Sequence, residues 1–190
     1  MENNIYILNW YGPFSHPSDV IEWEKKQIGN GRTYLYLFKG KKKNAKTKEA
    51  IYCGQAARQT AGGRLSHKKH HINEVIARKE VLSIWVAKFA NRIPKKYDIN
   101  LAEKMLTSIL DQIIKTDRIE VLNKINKLRP RDTAYIINEW YHTNGNAILR
   151  YPNNEMCNYF PDVLVCYTDE DENTSHIWGN RRMHFIKDIK

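Results

Sequence analysis

Two tyrosines, Tyr36 in TYLYLF and Tyr52 in AIYCG, sit in aromatic and β-branched runs. Behind them come Arg64, the histidine-rich HKKHH of His67 to His71, and Glu103. A phenol ordinarily titrates near 10, so it acts as a base only when a neighbour perturbs it. An arginine offers a permanent charge on a planar donor fork, which suits a phosphate. A carboxylate is a ligand for hard divalent cations. Each residue also has a plainer role. The tyrosines suit a strand surface, and Arg64 alone is a surface arginine. Asn100 three residues before Glu103 makes a capping box possible. HKKHH resembles a zinc cluster, but Cys53, Cys157 and Cys166 supply no CxxC pair to complete one.

Charge narrows the partner. The chain carries +10, and the segment from Arg32 to Lys96 holds 17 Lys and Arg against three acids, a net +14 that leaves −4 for the remainder. A phosphate backbone rewards such a concentrated excess through counterion release; a solvated basic face is the alternative. No apolar run reaches membrane-spanning length, and the start MENNIYILNWYG lacks the basic and apolar regions of a signal peptide. The expectation is a cytoplasmic protein with reduced thiols and no membrane partner.

The elements that must position these residues follow from patterning. A turn-rich arm holds Trp10, Gly12, Pro13 and Pro17, and an amphipathic helix covers Asp19 to Gln27. Strands are predicted over Thr33 to Phe38 and Ala50 to Gly54, joined by the basic loop GKKKNAKTKE into a long-connected hairpin. A helix runs on through Arg64 to Lys69, and a third strand covers Val81 to Phe89. Asp98 to Thr116 is the clearest helix: Leu101, Met105, Leu106, Ile109, Leu110 and Ile113 share one arc, with Glu103 on its border. A shorter helix is predicted over Ile119 to Leu128. A second hairpin turns at Asn144-Gly145, PDVLVCYT is a strand, and an acidic loop at Asp169 to Glu172 precedes the tail.

In order along the chain, YLY at Tyr34 to Tyr36, YCGQA at Tyr52 to Ala56, Arg64-Leu65, Ala102-Glu103 and Leu122 to Lys124 resemble the motifs of the GIY-YIG nuclease superfamily over roughly Thr33 to Lys127. Tyr34 stands where the family usually has Gly, and Cys53 replaces a middle aliphatic. The loop between the tyrosines is longer and more basic than in compact members. Many members place His or Tyr one helical turn after the Arg; that position is Lys68 here, with His67 one residue early and His70 and His71 nearby.

The resemblance implies an α/β fold: a small mixed or antiparallel three-stranded sheet flanked by helices, with a C-terminal β-rich extension. Residues 1–31 would form an N-terminal arm and helix, 32–128 the catalytic core, and 129–190 the extension packed on it. It also implies an endonuclease that hydrolyses DNA with Mg²⁺ or Mn²⁺, of restriction or defence type. The alternatives are a repair, recombination or mobile-element nuclease, or a binding module without turnover. The implied catalytic set is Tyr36, Tyr52, Arg64, His67, Glu103 and Asn123. Glu103 would be the metal ligand, Arg64 would hold the scissile phosphate, and one tyrosine would help to deprotonate the nucleophile. Gly54 would let the backbone pass close to the site. Lys41, Lys42, Lys43, Arg58, Lys68, Lys69, Arg129 and Arg131 would contact nucleic acid. Cutting a palindrome on both strands would call for a homodimer.

Overall fold

Residues 4–27, 32–45, 48–76, 82–114, 118–123, 133–148, 160–169 and 174–180 are described by a computed structural model. The first segment departs at once from the predicted arm. Tyr6, Leu8 and Trp10 alternate onto one buried face of an 11-residue strand, β1 (Asn4–Phe14), and Phe14 is buried on the other. Pro13, which has no N–H to donate, falls where the register with the neighbouring strand shifts between Tyr11 and Phe14. Turn residues concealed a period-two pattern.

After helix α1 (Pro17–Lys26) come β2 (Leu35–Lys41), β3 (Glu49–Gln55), helix α2 (Ala61–Leu65) and a 3₁₀ turn at His71–Glu74. Then follow β4 (Ser83–Phe89), helix α3 (Lys96–Ile113), β5 (Ile119–Val121), β6 (Ala134–Tyr141), β7 (Val163–Asp169) and β8 (Thr174–Asn180). The eight strands among the described residues share one sheet in the order β5-β3-β2-β4-β1-β6-β7-β8. It is mixed: β1 runs antiparallel to β4 but parallel to β6, and β3 runs parallel to β5. The predicted three-stranded sheet flanked by helices is therefore incorrect. β2, β3 and β4 are hydrogen-bonded neighbours, but β1 continues their sheet. Through β1 the strands of the expected extension join it too.

The sheet is covered on both faces. On one, α3 buries Leu101, Met105, Leu106 and Leu110 against Leu8, Leu35, Leu37, Ile51, Cys53 and Trp85. On the other, Val20 and Trp23 of α1, Ala61 and Leu65 of α2, and Ile72 pack on Tyr36, Phe38, Ala50 and Val86. Apolar burial on both sides of one sheet is the main source of stability here.

Three local predictions also change. α3 begins at Lys96, where the Asp98 carboxylate accepts from the Lys95 N–H at 2.7 Å and from the Tyr6 hydroxyl at 3.0 Å. Asn100 and Glu103 then lie inside the helix, which removes the capping-box role for Glu103. α2 stops at Leu65, short of the expected Lys69. Ile119 to Val121 pairs with Glu49 to Ile51 as a strand, not a helix; the two β-branched residues flanking Glu120 suit a pleat. Gly145 makes the expected turn with φ +88°, although beyond it only an Ala147 bridge to Tyr141 forms among the described residues. Most of the acidic loop lies outside the described residues. No helix among them is long and apolar enough to cross a membrane.

Candidate functional site

The two tyrosines meet because of a glycine. In the β2–β3 pairing Tyr36 is opposite Gly54 and Phe38 is opposite Tyr52, which makes Tyr36 and Tyr52 diagonal neighbours on one face. A Cβ on Gly54 would collide with the Tyr36 ring and stand 2.6 Å from Tyr52 Cε1. Gly54 thus lets the Tyr36 ring lie over the strand, with ring centroids 6.1 Å apart. Its role is close approach within a strand rather than a turn.

Arg64 is set by packing between helices. Glu24 of α1 accepts from the Ala61 and Gly62 N–H groups at 3.0 and 3.1 Å, and Thr60 Oγ1 accepts from the Gly63 N–H. A Cβ on Gly62 would lie 2.8 Å from both Glu24 Oε2 and Ile21 Cγ1, so the glycine pair that argues against a long helix permits this short one. Arg64 is exposed, and its charge reaches the Tyr36 phenol and favours the ionised form.

His70, not His67, completes this corner. His67 is exposed, and its Nδ1 accepts from the Lys69 N–H at 3.3 Å; with α2 ended at Leu65, the expected helical i, i+3 pairing with Arg64 does not form. His70 is buried, with Nε2 at 2.8 Å from the Tyr36 hydroxyl. Its Nδ1 accepts from the Ile72 N–H at 3.0 Å. Burial, then the nearby Arg64, push the imidazole down to about 4. A neutral ring whose Nδ1 accepts must carry its proton on Nε2, so His70 donates to Tyr36. The Tyr36 hydroxyl accepts from His70, and the charge of the nearby Arg64 offsets part of the effect of burial at Tyr36. Burial raises both phenols above 10. Tyr36 rises the further, and the Glu103 carboxylate adds to the rise at Tyr52.

Glu103 arrives from the opposite face of the sheet. β5 covers β3 only from Glu49 to Ile51. Past that point the β3 edge is finished by a side chain: Asn123 Oδ1 accepts from the Cys53 N–H at 2.9 Å, and its Nδ2 donates to the Cys53 carbonyl at 2.5 Å. Beside this join a cavity of about 220 Å³ opens, lined by Tyr52, His71, Glu103, Lys104, Thr107 and Asn123 with Leu122. Gln55 Nε2 donates to Glu103 Oε2 at 2.7 Å and to Asn100 at 2.8 Å. Burial nevertheless raises the Glu103 carboxyl.

Among the described residues no group of three or more His, Cys, Asp or Glu could cage a metal ion. One carboxylate, Glu103, with the Tyr52 and Thr107 hydroxyls and the Asn123 amide around a cavity that Lys104 and His71 also line, suits a hard cation that keeps most of its water better than it suits zinc. The chemistry of the donor set thus fits Mg²⁺ or Mn²⁺.

Of the nucleic-acid candidates, Lys41, Lys43, Arg58, Lys68 and Lys69 are exposed. Lys42 is engaged by Glu120, with both carboxylate oxygens within 2.8 Å. Arg129 and Arg131 lie outside the described residues. Sequence reasoning did not single out Gln55, and left His70 and His71 alike among the residues near His67. HKKHH gave the only signal for the histidines, and selecting among them required knowing where α2 ends.

Compared with protein-family models, curated proteins and solved structures, the chain matches none.

Proposed function

We propose that the protein is a divalent-metal-dependent endonuclease that hydrolyses DNA phosphodiester bonds. One observation carries the proposal: Tyr52 and Glu103, approaching from opposite faces of the sheet, border one cavity, with Arg64 and Tyr36 immediately behind Tyr52. Glu103 would hold the cation, which would polarise the phosphate and stabilise the leaving oxygen. Arg64 neutralises charge on the phosphorane. Tyr52 hydrogen-bonds the attacking water, and Tyr36, whose hydroxyl is held by His70, stacks behind it. Asn123 is a positioning residue that holds the β3 edge. The exposed lysines and Arg58 supply the salt-sensitive attraction to the backbone.

The test is incubation with supercoiled plasmid, linear duplex, branched and single-stranded DNA, in Mg²⁺ and in EDTA. Wild type nicks or cuts in Mg²⁺ only. Glu103→Ala and Arg64→Ala lose at least about 100-fold in rate while still binding DNA. Binding without metal-dependent cleavage on any of these substrates refutes the proposal and leaves a binding module. Sequencing the ends separates a restriction-type specificity from structure-directed cutting.

A further inference from the structure

We propose that His71, held by Glu74, is the general base that takes the proton from the attacking water. The inference rests on the nuclease function above and names the proton acceptor which that function needs. His71 lines the cavity with Glu103. Its ring packs on Tyr52 with centroids 5.1 Å apart and planes at 33°. On the 3₁₀ turn, Nδ1 lies 2.6 Å from Glu74 Oε1. A carboxylate at that nitrogen fixes the Nδ1–H tautomer and leaves the lone pair on Nε2. This is the arrangement in which an oriented imidazole accepts a proton.

The neighbours are less suited. His70 already uses both nitrogens, one accepting from Ile72 and the other donating to Tyr36. Tyr36 and Tyr52 are raised above their ordinary range, away from the phenolate a base would need at neutral pH. Imidazole is the side chain whose ordinary titration falls nearest neutrality. The ionisable groups around His71 are Glu74 and His70 on its own turn, Tyr52 on β3, and Glu103 and Lys104 across the cavity on α3.

The step balances without a further reactant. The water oxygen forms its bond to phosphorus as its proton passes to His71 Nε2. The bond from phosphorus to the leaving ester oxygen breaks, and that oxygen keeps the electron pair and then takes a proton from solvent.

Single-turnover cleavage across pH 5.5 to 9 at saturating Mg²⁺ tests the assignment, alongside ¹⁵N NMR of the metal-free protein. In wild type the rate rises about tenfold per pH unit and then levels. His71→Gln lowers the pH 7 rate by about 100-fold or more and removes the acid limb. It leaves the Mg²⁺ half-saturation and DNA binding within about twofold, and free imidazole restores part of the His71→Gly rate. NMR finds His71 as the Nδ1–H tautomer, a preference that Glu74→Gln weakens. A His71→Gln enzyme that cuts within about threefold of wild type, with the limb intact, overturns the base assignment while the nuclease function stands. A raised Mg²⁺ half-saturation with the limb retained makes His71 a metal ligand and also overturns it. Wild type that never cuts removes both, and its failure is seen before any variant is compared.

Discussion

His70 couples the site to pH through stability, and the size of the effect follows from its burial. In the unfolded chain the imidazole titrates near 6.5; in the fold, burial followed by the fields of Arg64, His71 and His67 lower it to about 4. The folded value lies below the unfolded one, so the stabilisation is present above 6.5 and is lost as pH falls through about 4. At 1.36 kcal/mol per unit, the loss between pH 7 and pH 4 is about 3 kcal/mol, a large share of a typical domain's stability. The perturbation is His70→Gln, which cannot titrate and can serve only one of its two partners, the Ile72 N–H or the Tyr36 hydroxyl. At pH 7 it therefore destabilises the fold by about 1–3 kcal/mol. Urea unfolding followed by tryptophan fluorescence at pH 7, 6, 5 and 4 gives the gap between wild type and variant. Groups common to both chains largely cancel in that gap. The gap should shrink by about 3 kcal/mol toward pH 4 and vanish or reverse. A gap constant to about 0.5 kcal/mol, well below that expected change, or an NMR titration of His70 near 6.5, would refute the assignment of a neutral His70 donating to Tyr36.

Other variants separate stability from chemistry. Burial raises the Glu103 carboxyl, so its charge weakens the fold above the unfolded value and not below it. Glu103→Gln, still able to accept from Gln55, should melt higher than wild type at pH 7 with the advantage fading below pH 4.5, while metal-dependent cleavage falls about 100-fold. Gly54→Ala should cost about 1–3 kcal/mol in urea unfolding, because the Tyr36 ring must leave its place and with it the His70 hydrogen bond. In DNA-binding titrations, Lys41→Ala or Lys43→Ala should each reduce the slope of log K against log salt by up to about 0.9. Lys42→Ala should leave that slope unchanged, since Lys42 already pairs with Glu120.

What the sequence made legible was local. Aromatic and β-branched runs marked β2, β3 and β4, and the arc from Leu101 to Leu110 marked the buried face of α3 and put Glu103 at its border. β1 was missed because Gly12 and Pro13 read as a turn and hid a period of two. Its place between β4 and β6 is a tertiary fact that no window of the chain contains. The histidine was misplaced for a related reason. A helix carried on to Lys69 would set His67 beside Arg64, whereas a chain released at Leu65 turns and brings His70 beneath Tyr36. Helix termination, where the Ser66 N–H and hydroxyl close on the Gly62 carbonyl, selected the residue.

Sheet topology also explains why the cavity lies where it does. Glu103 sits on a helix packed on one face, and Tyr52 and His71 belong to the other. Layers packed on a sheet stand about 10 Å from it, so in the interior of the sheet these groups could not share a cavity. They can meet only at an edge, and only where the neighbouring strand has ended. β5 ends at Val121, after pairing with three residues of β3. An unpaired edge would leave the Cys53 N–H and carbonyl without partners, a cost that favours a longer strand. Asn123 meets that need with one amide, giving Cys53 the two hydrogen bonds of a ladder position without a strand to supply them. The edge is satisfied, the strand is kept short, and the cavity opens beside the Asn123 join. The short strand and the late asparagine are thus one device, which opens the sheet where chemistry from its two faces can converge.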